Sequence, residues 1–118
     1  MAITSAICNS FKQEILEAEH NFTASSGNTF NLALYDSDAT LNKSTTAYTT
    51  SEELATTGGY TAKGKALTSV TPTLDSDTAV CDFDNVSWTS ASFTARGCLI
   101  FNDSHSSDAS VCAIDFGG

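Results

Sequence analysis

Residues 95–103 read ARGCLIFND, and the run Cys98-Leu99-Ile100-Phe101 inside it is apolar at four consecutive positions. Gly97 opens it and Asn102-Asp103 closes it, so the segment is too short for a helix and too evenly apolar for a surface strand. It reads as a strand buried on both faces. After the polar stretch from Asn102 to Ser110 a second short run, Val111-Cys112-Ala113-Ile114, reads as the last strand.

Working toward the amino terminus, Ala79, Cys81 and Phe83 alternate with Val80, Asp82 and Asp84. The apolar parity then shifts to Val86 and Trp88, and shifts again to Ala91, Phe93 and Ala95. Each shift implies a bulge or turn, because one extra residue sends every later side chain to the opposite face. Val70, Pro72 and Leu74 alternate more weakly, and the proline fits an edge. Phe30, Leu32 and Leu34 alternate with Asn31, Ala33 and Tyr35, as in a strand with one buried face. Between these strands, residues 39–65 form a long polar connection whose core reads TTAYTTSEELATTGGYTAKG, residues 45–64, with at most one helical turn at Ser51 to Ala55.

One helix is expected, over about residues 5–19. Ile7, Cys8, Phe11, Ile15 and Leu16 recur at helical spacing opposite Asn9, Lys12, Gln13, Glu14 and Glu17, with Thr4 or Ser5 as cap. His20 is placed to satisfy its carboxyl end. The chain of 118 residues is then a single domain, residues 1–118, mainly β with one N-terminal α-helix (α+β). The strand-rich region over about 28–116 forms an antiparallel sheet or β-sandwich of about six strands. Ending at Asp115-Phe116-Gly117-Gly118, directly after a strand, suggests that the native chain is longer at its carboxyl end.

Composition narrows the function. The formal charge is −9, with 14 acids set against Lys12, Lys43, Lys63, Lys65 and Arg96. Five scattered cations build no basic patch, which argues against a nucleic-acid backbone or an anionic membrane surface as partner. No segment has the roughly 20 apolar residues of a membrane span, and the amino terminus lacks the basic start and apolar run of a secretory signal. Cys8, Cys81, Cys98 and Cys112 form no C-x-x-C pair, so no metal site is expected. They read as buried free thiols, with one disulfide among the strand cysteines as the exception to watch.

No catalytic or cofactor-binding residue stands out. Asp103, Ser104, His105 and Asp108 supply the residue types of a triad, but all lie in one short loop, whereas triads draw on different elements. Asp36/Asp38 and Asp75/Asp77 flank serines in turns, where Asp bonds its own backbone. A weak calcium site is the alternative for such oxygen-rich turns, although none has the spacing of an EF-hand loop. Tyr48, Tyr60 and Trp88 are candidate contacts for a surface glycan or a neighbouring subunit, and Phe11 and Ile15 are candidate interface residues on the helix. If both tyrosines are covered, their stretch is architecture.

Several segments together resemble a family of small virion structural proteins of tailed bacteriophages. They are MAITSAICNSFKQEILEAEHNF, NTFNLALYDSDATLN, TTAYTTSEELATTGGYTAKGKAL and ARGCLIFND, which span most of the chain. Members carry a Cys-Asn-Ser-Phe-Lys helix, an Ala-Leu-Tyr strand, a Gly-Tyr-Thr-Ala-Gly segment and an Ala-Arg-Gly-Ala-Leu-Ile-Tyr strand. Lys63 departs from the second glycine of the third pattern, and Cys98 replaces an alanine of the fourth. The resemblance implies a non-enzymatic, cofactor-free particle component assembled in the host cytoplasm and located in the virion. Its partners would be itself, as a homo-oligomer such as a trimer, and other virion proteins. Capsid decoration stands ahead of a tail or fibre component and of a carbohydrate-binding adhesive β-domain.

Overall fold

The computed structural model describes residues 2–117. In chain order the elements are β1 (Ala6–Ile7), α1 (Asn9–Leu16), β2 (Phe30–Tyr35), β3 (Lys65–Ala66), β4 (Ser69–Asp75), β5 (Thr78–Phe83), β6 (Gly97–Asn102) and β7 (Ser110–Asp115). They make a five-stranded sheet in the order β1-β7-β6-β2-β3 and a separate β4-β5 hairpin, all antiparallel. The fold is mainly β with one helix, as its alternation and apolar runs imply. Met1, Gly118 and the question of chain length beyond them lie outside the described residues.

Strand β6 is central because its apolar run needs cover on both sides. All six of its residues are buried. Leu99 and Phe101 point to one face, where they meet Ile3, Ala33, Tyr35, Leu41 and Ala113. Ile100 and Cys98 point to the other, against Phe30, Leu67 and Val111 in one cluster and Leu34 and Tyr60 in the next. Full burial of each such large side chain contributes about 1.5–3 kcal/mol. Truncating Phe101 to alanine would cost about 3–5 kcal/mol.

Strand β2 departs from its simple alternation. Asn31, Ala33 and Tyr35 are buried along with Phe30 and Leu34, so both faces are covered. The second cover comes from the amino-terminal segment and from Ala39 and Leu41, which no local period reveals.

The helix is shorter than 5–19. Ala6 and Ile7 pair instead with Ala113 and Cys112 as edge strand β1. Cys8, in extended conformation, takes the cap position without a side-chain bond, so neither Thr4 nor Ser5 caps the helix. The first free amide, Asn9 N–H, donates to the Lys43 carbonyl at 2.7 Å, which satisfies one of the orphan donors of a helix start. At the other end Ala18 N–H donates to Ile15 O and Glu19 N–H to Glu14 O. Ala18 sits at φ 60°, so this is a left-handed Schellman ending in which alanine stands where glycine is usual.

The segments around Val86–Trp88 and Ala91–Ala95 are not strands. Both edges of β6 are taken by β2 and β7, and these residues pair with none of the remaining strands. Trp88 and Phe93 pack around Tyr60 instead. The Ser51–Ala55 stretch is likewise a turn and not helical, with Glu52 at φ 62°.

Candidate functional site

The long connection after β2 is fastened by one carboxylate. Leu54 N–H donates to Leu34 O and Asp36 N–H to Glu52 O, which lays residues 52–54 along β2. Glu53 then accepts the hydroxyls of Tyr48 and Tyr60, each at 2.5 Å, on different oxygens, and the Lys63 amide at 2.7 Å. The Tyr60 hydroxyl also accepts Leu34 N–H at 3.0 Å. Tyr35 donates to the Thr49 carbonyl at 2.6 Å. Burial first, and then the bonded Glu53 carboxylate, push the Tyr48 and Tyr60 hydroxyls well above the usual phenol range. Burial does the same for Tyr35.

These contacts decide the role of the tyrosines. Tyr60 is 2% exposed and therefore not a glycan contact. Tyr48 is half-buried and stacks on Phe101 at 4.7 Å between ring centres. On its open side, Lys63 Nζ lies 5.6 Å from the ring and pairs with Asp108 and Asp103 at 3.0 and 3.4 Å. Trp88 is also half-buried, with the Lys65 ammonium 5.4 Å above its ring. The three aromatics hold the connection to the sheet and make no exposed platform. The stretch 45–64 is architecture.

The triad-type residues of the 103–108 loop are not brought together. The Ser104 hydroxyl accepts Thr29 N–H at 2.8 Å, while Asp103 and Asp108 serve Lys63. His105 Nε2 lies 2.7 Å from Glu19, and its Nδ1 accepts Ser107 N–H. His105 beside it holds the exposed Glu19 carboxyl below its usual range. His20 does not cap the helix end through its ring. It is buried between Phe11 and Phe30, with Nε2 2.9 Å from Glu14 and Nδ1 3.0 Å from Asn102.

Glu14, Glu19 and His105 lie close enough together to suggest a metal site. The tautomer argues otherwise. With Nδ1 accepting a backbone N–H, the neutral His105 ring carries its proton on Nε2, the atom a metal would need. Asp36, Asp38 and Glu52 form a second acidic group. There Asp36 accepts the Asp38 amide at 2.8 Å, the turn bond expected of its sequence.

The largest apolar feature is an open groove of about 490 Å³. Its floor is the sheet face at Ile100, Val111 and Cys112; Phe11 and Ile15 of α1 form one wall, and Cys81 and Phe83 of β5 belong to the other. The two candidate interface residues on the helix thus come to one place. The hairpin wall is unusual. Nearly every residue of β4 and β5 is exposed, with Leu74 at 75%, and two-stranded hairpins alone are marginally stable in water. Phe83 at its base packs against Phe22 and Phe30 and roots it to the sheet.

Glu53 and the groove were not evident as sites in the sequence. Glu53 had a faint signal as an acid in a weakly charged stretch between two tyrosines. Comparison with protein-family models, with curated proteins and with solved structures finds no match.

Proposed function

We propose that this protein is a non-enzymatic structural component of a tailed-bacteriophage particle, a capsid decoration or cement protein that assembles through subunit interfaces. The observation that carries this reading is the apolar groove between α1 and the hairpin. Its lining contains no charged residue in a chain of net charge −9, which makes it the surface best suited to a protein neighbour. The family resemblance supplies the particle; the groove supplies a means of attachment. A tail or fibre position is the alternative on the same evidence of shape.

Immunogold labelling of particles with an antibody to this protein tests the proposal. Labelled heads support capsid decoration, and labelled tails support the alternative. Unlabelled particles, with a protein that remains monomeric in sedimentation at every concentration, overturn both.

A further inference from the structure

All four cysteines are free thiols, and they are not equivalent. Cys8 is fully buried, with its sulfur 3.8 Å from the Asn42 carbonyl oxygen, and Cys98 is enclosed beside Leu34 and Tyr60. Cys81 and Cys112 both line the groove, Cys81 from the hairpin and Cys112 from the sheet. Contrary to the expectation of four buried thiols, Cys81 is exposed and Cys112 is only half-buried.

We propose that Cys81 and Cys112 are an oxidation site, and that a disulfide between them folds the hairpin down over the groove. Two observations place the two thiols on the same side of the sheet, facing one groove. Cys81 lies two residues beyond Phe83 on the same hairpin face, and Phe83 packs on Phe30 at 5.9 Å. Cys112 is paired with Ile100 in the sheet, and both belong to the side on which Phe30 and Phe83 meet. Burial pushes the Cys112 thiol up to about 11, and the nearby Cys8 and then Cys81 add to the rise.

A disulfide needs Cα atoms within about 7 Å, so the ribbon must lean inward. Two anchors lie at its base, where Leu67 N–H meets Phe30 O and Asp84 N–H meets Thr68 O; a third, Ala24 N–H to the Thr71 hydroxyl, lies at the level of Cys81 itself, because the register leaves Cys81 opposite Thr71 and Pro72. The strands around these bonds are exposed, and an inward lean of Cys81 has to break the exposed Ala24–Thr71 bond while the two at the base hold.

The oxidant is a small-molecule disulfide. The exposed Cys81 thiolate, having lost its proton to solvent, attacks one sulfur of that disulfide and expels the other as a thiolate, which takes up a proton. Cys112, deprotonated in turn, attacks the Cys81 sulfur of the mixed disulfide, forms the Cys81–Cys112 bond and releases the second small thiol. The protein loses two electrons and two protons, and one small disulfide becomes two thiols. The bridge is slow to form because little of Cys112 is thiolate, and slow to be reduced where Cys112 is the leaving group, because a thiol of high pKa leaves poorly.

The test is incubation of the folded, full chain with oxidised glutathione at mildly alkaline pH. It is followed by thiol titration, a non-reducing peptide map and fluorescence of a dye that binds apolar surface. The expected result is loss of two of the four titratable thiols, a peptide pair linking Cys81 to Cys112, and a fall in dye fluorescence. In Cys112→Ala the reaction stops at a glutathione adduct on Cys81 and the dye signal persists. Wild-type protein that stops at the same adduct, a bridge through Cys8 or Cys98, or a Cys81–Cys112 bridge with unchanged dye binding overturns the proposal. None of these results depends on the virion reading.

Discussion

Tyr60 and Glu53 hold one another at 2.5 Å while the same tyrosine oxygen accepts the Leu34 amide of strand β2 at 3.0 Å. A single hydroxyl thus ties a loop carboxylate to the sheet backbone. Tyr48 reaches the second carboxylate oxygen from the far side of the connection.

Removing that carboxylate leaves two hydroxyls and the Lys63 amide without their acceptor. Glu53→Ala is therefore expected to lower stability by roughly 1.5–3 kcal/mol, the range for bonds to a charged group. Glu53→Gln, which keeps one acceptor oxygen, should lose less. Urea unfolding followed by the fluorescence of Trp88, the one tryptophan, measures both.

All three tyrosines are held neutral by the fold. A free phenol ionises near pH 10, and Tyr35, Tyr48 and Tyr60 are all pushed above it. The folded state therefore binds more protons than the unfolded state at alkaline pH, and the stability it gains is full below about pH 10 and lost as pH rises beyond it. Absorbance at 295 nm should show no tyrosine step near pH 10 in folded protein. Ionisation should instead coincide with loss of the circular-dichroism signal; a separate early step would contradict the clamp geometry.

Backbone conformation gives two substitutions of opposite sign. Ala18 occupies a left-handed position at φ 60°, so Ala18→Gly is expected to stabilise by about 0.5–1 kcal/mol, the usual gain from relieving that clash net of glycine's greater entropy. Gly64 stands at φ 69°, and a Cβ there would fall 1.8 Å from the Leu32 carbonyl oxygen. Gly64→Ala should destabilise by more than about 2 kcal/mol. Melting temperatures of the two variants moving in the same direction would contradict this account.

The helix stripe divides into a supporting and a free part. Phe11 packs on His20 at 4.9 Å and on Phe22 at 5.9 Å, and its truncation to alanine is expected to cost about 3 kcal/mol. Leu16 is 88% exposed, and Leu16→Ser should change stability by less than about 0.5 kcal/mol. Comparison of the two denaturation midpoints checks the division.

The β sheet was legible where one segment carried its own message. Cys98–Phe101 announces burial through an unbroken apolar run and is buried throughout; Val111–Ile114 announces a strand and is one, with Ile114 exposed. The departure at 86–95 has a physical origin: alternation reports which side chains meet apolar surface, not whether the backbone pairs with a strand. Half-buried Trp88 and exposed Phe93 each touch the Tyr60 ring, so they alternate as strand residues do without pairing. Strand β1 escaped notice for the converse reason, since two residues carry no period and Ile7 fitted the helix stripe equally well. Of the candidate site residues, Phe11 and Ile15 came together in one groove, whereas the roles of Tyr48 and Tyr60 hinged on Glu53. Its importance is set by three donors converging in space, and spacing along the chain does not encode that.

The strand order β1-β7-β6-β2-β3 has a consequence for synthesis. The first strand of the sheet waits for the last, because Ala6 and Ile7 have no ladder until Ala113 and Cys112 exist. Strand β2 waits likewise for β6. Loop closure over such separations slows folding. A chain still emerging from the ribosome has only the β4-β5 hairpin and the eight-residue helix α1 as local structure, each marginal alone, and its central sheet closes only after translation has passed β7. During that interval Phe30, Leu32 and Leu34 stand uncovered, and crowded nascent chains are most vulnerable to mutual association then.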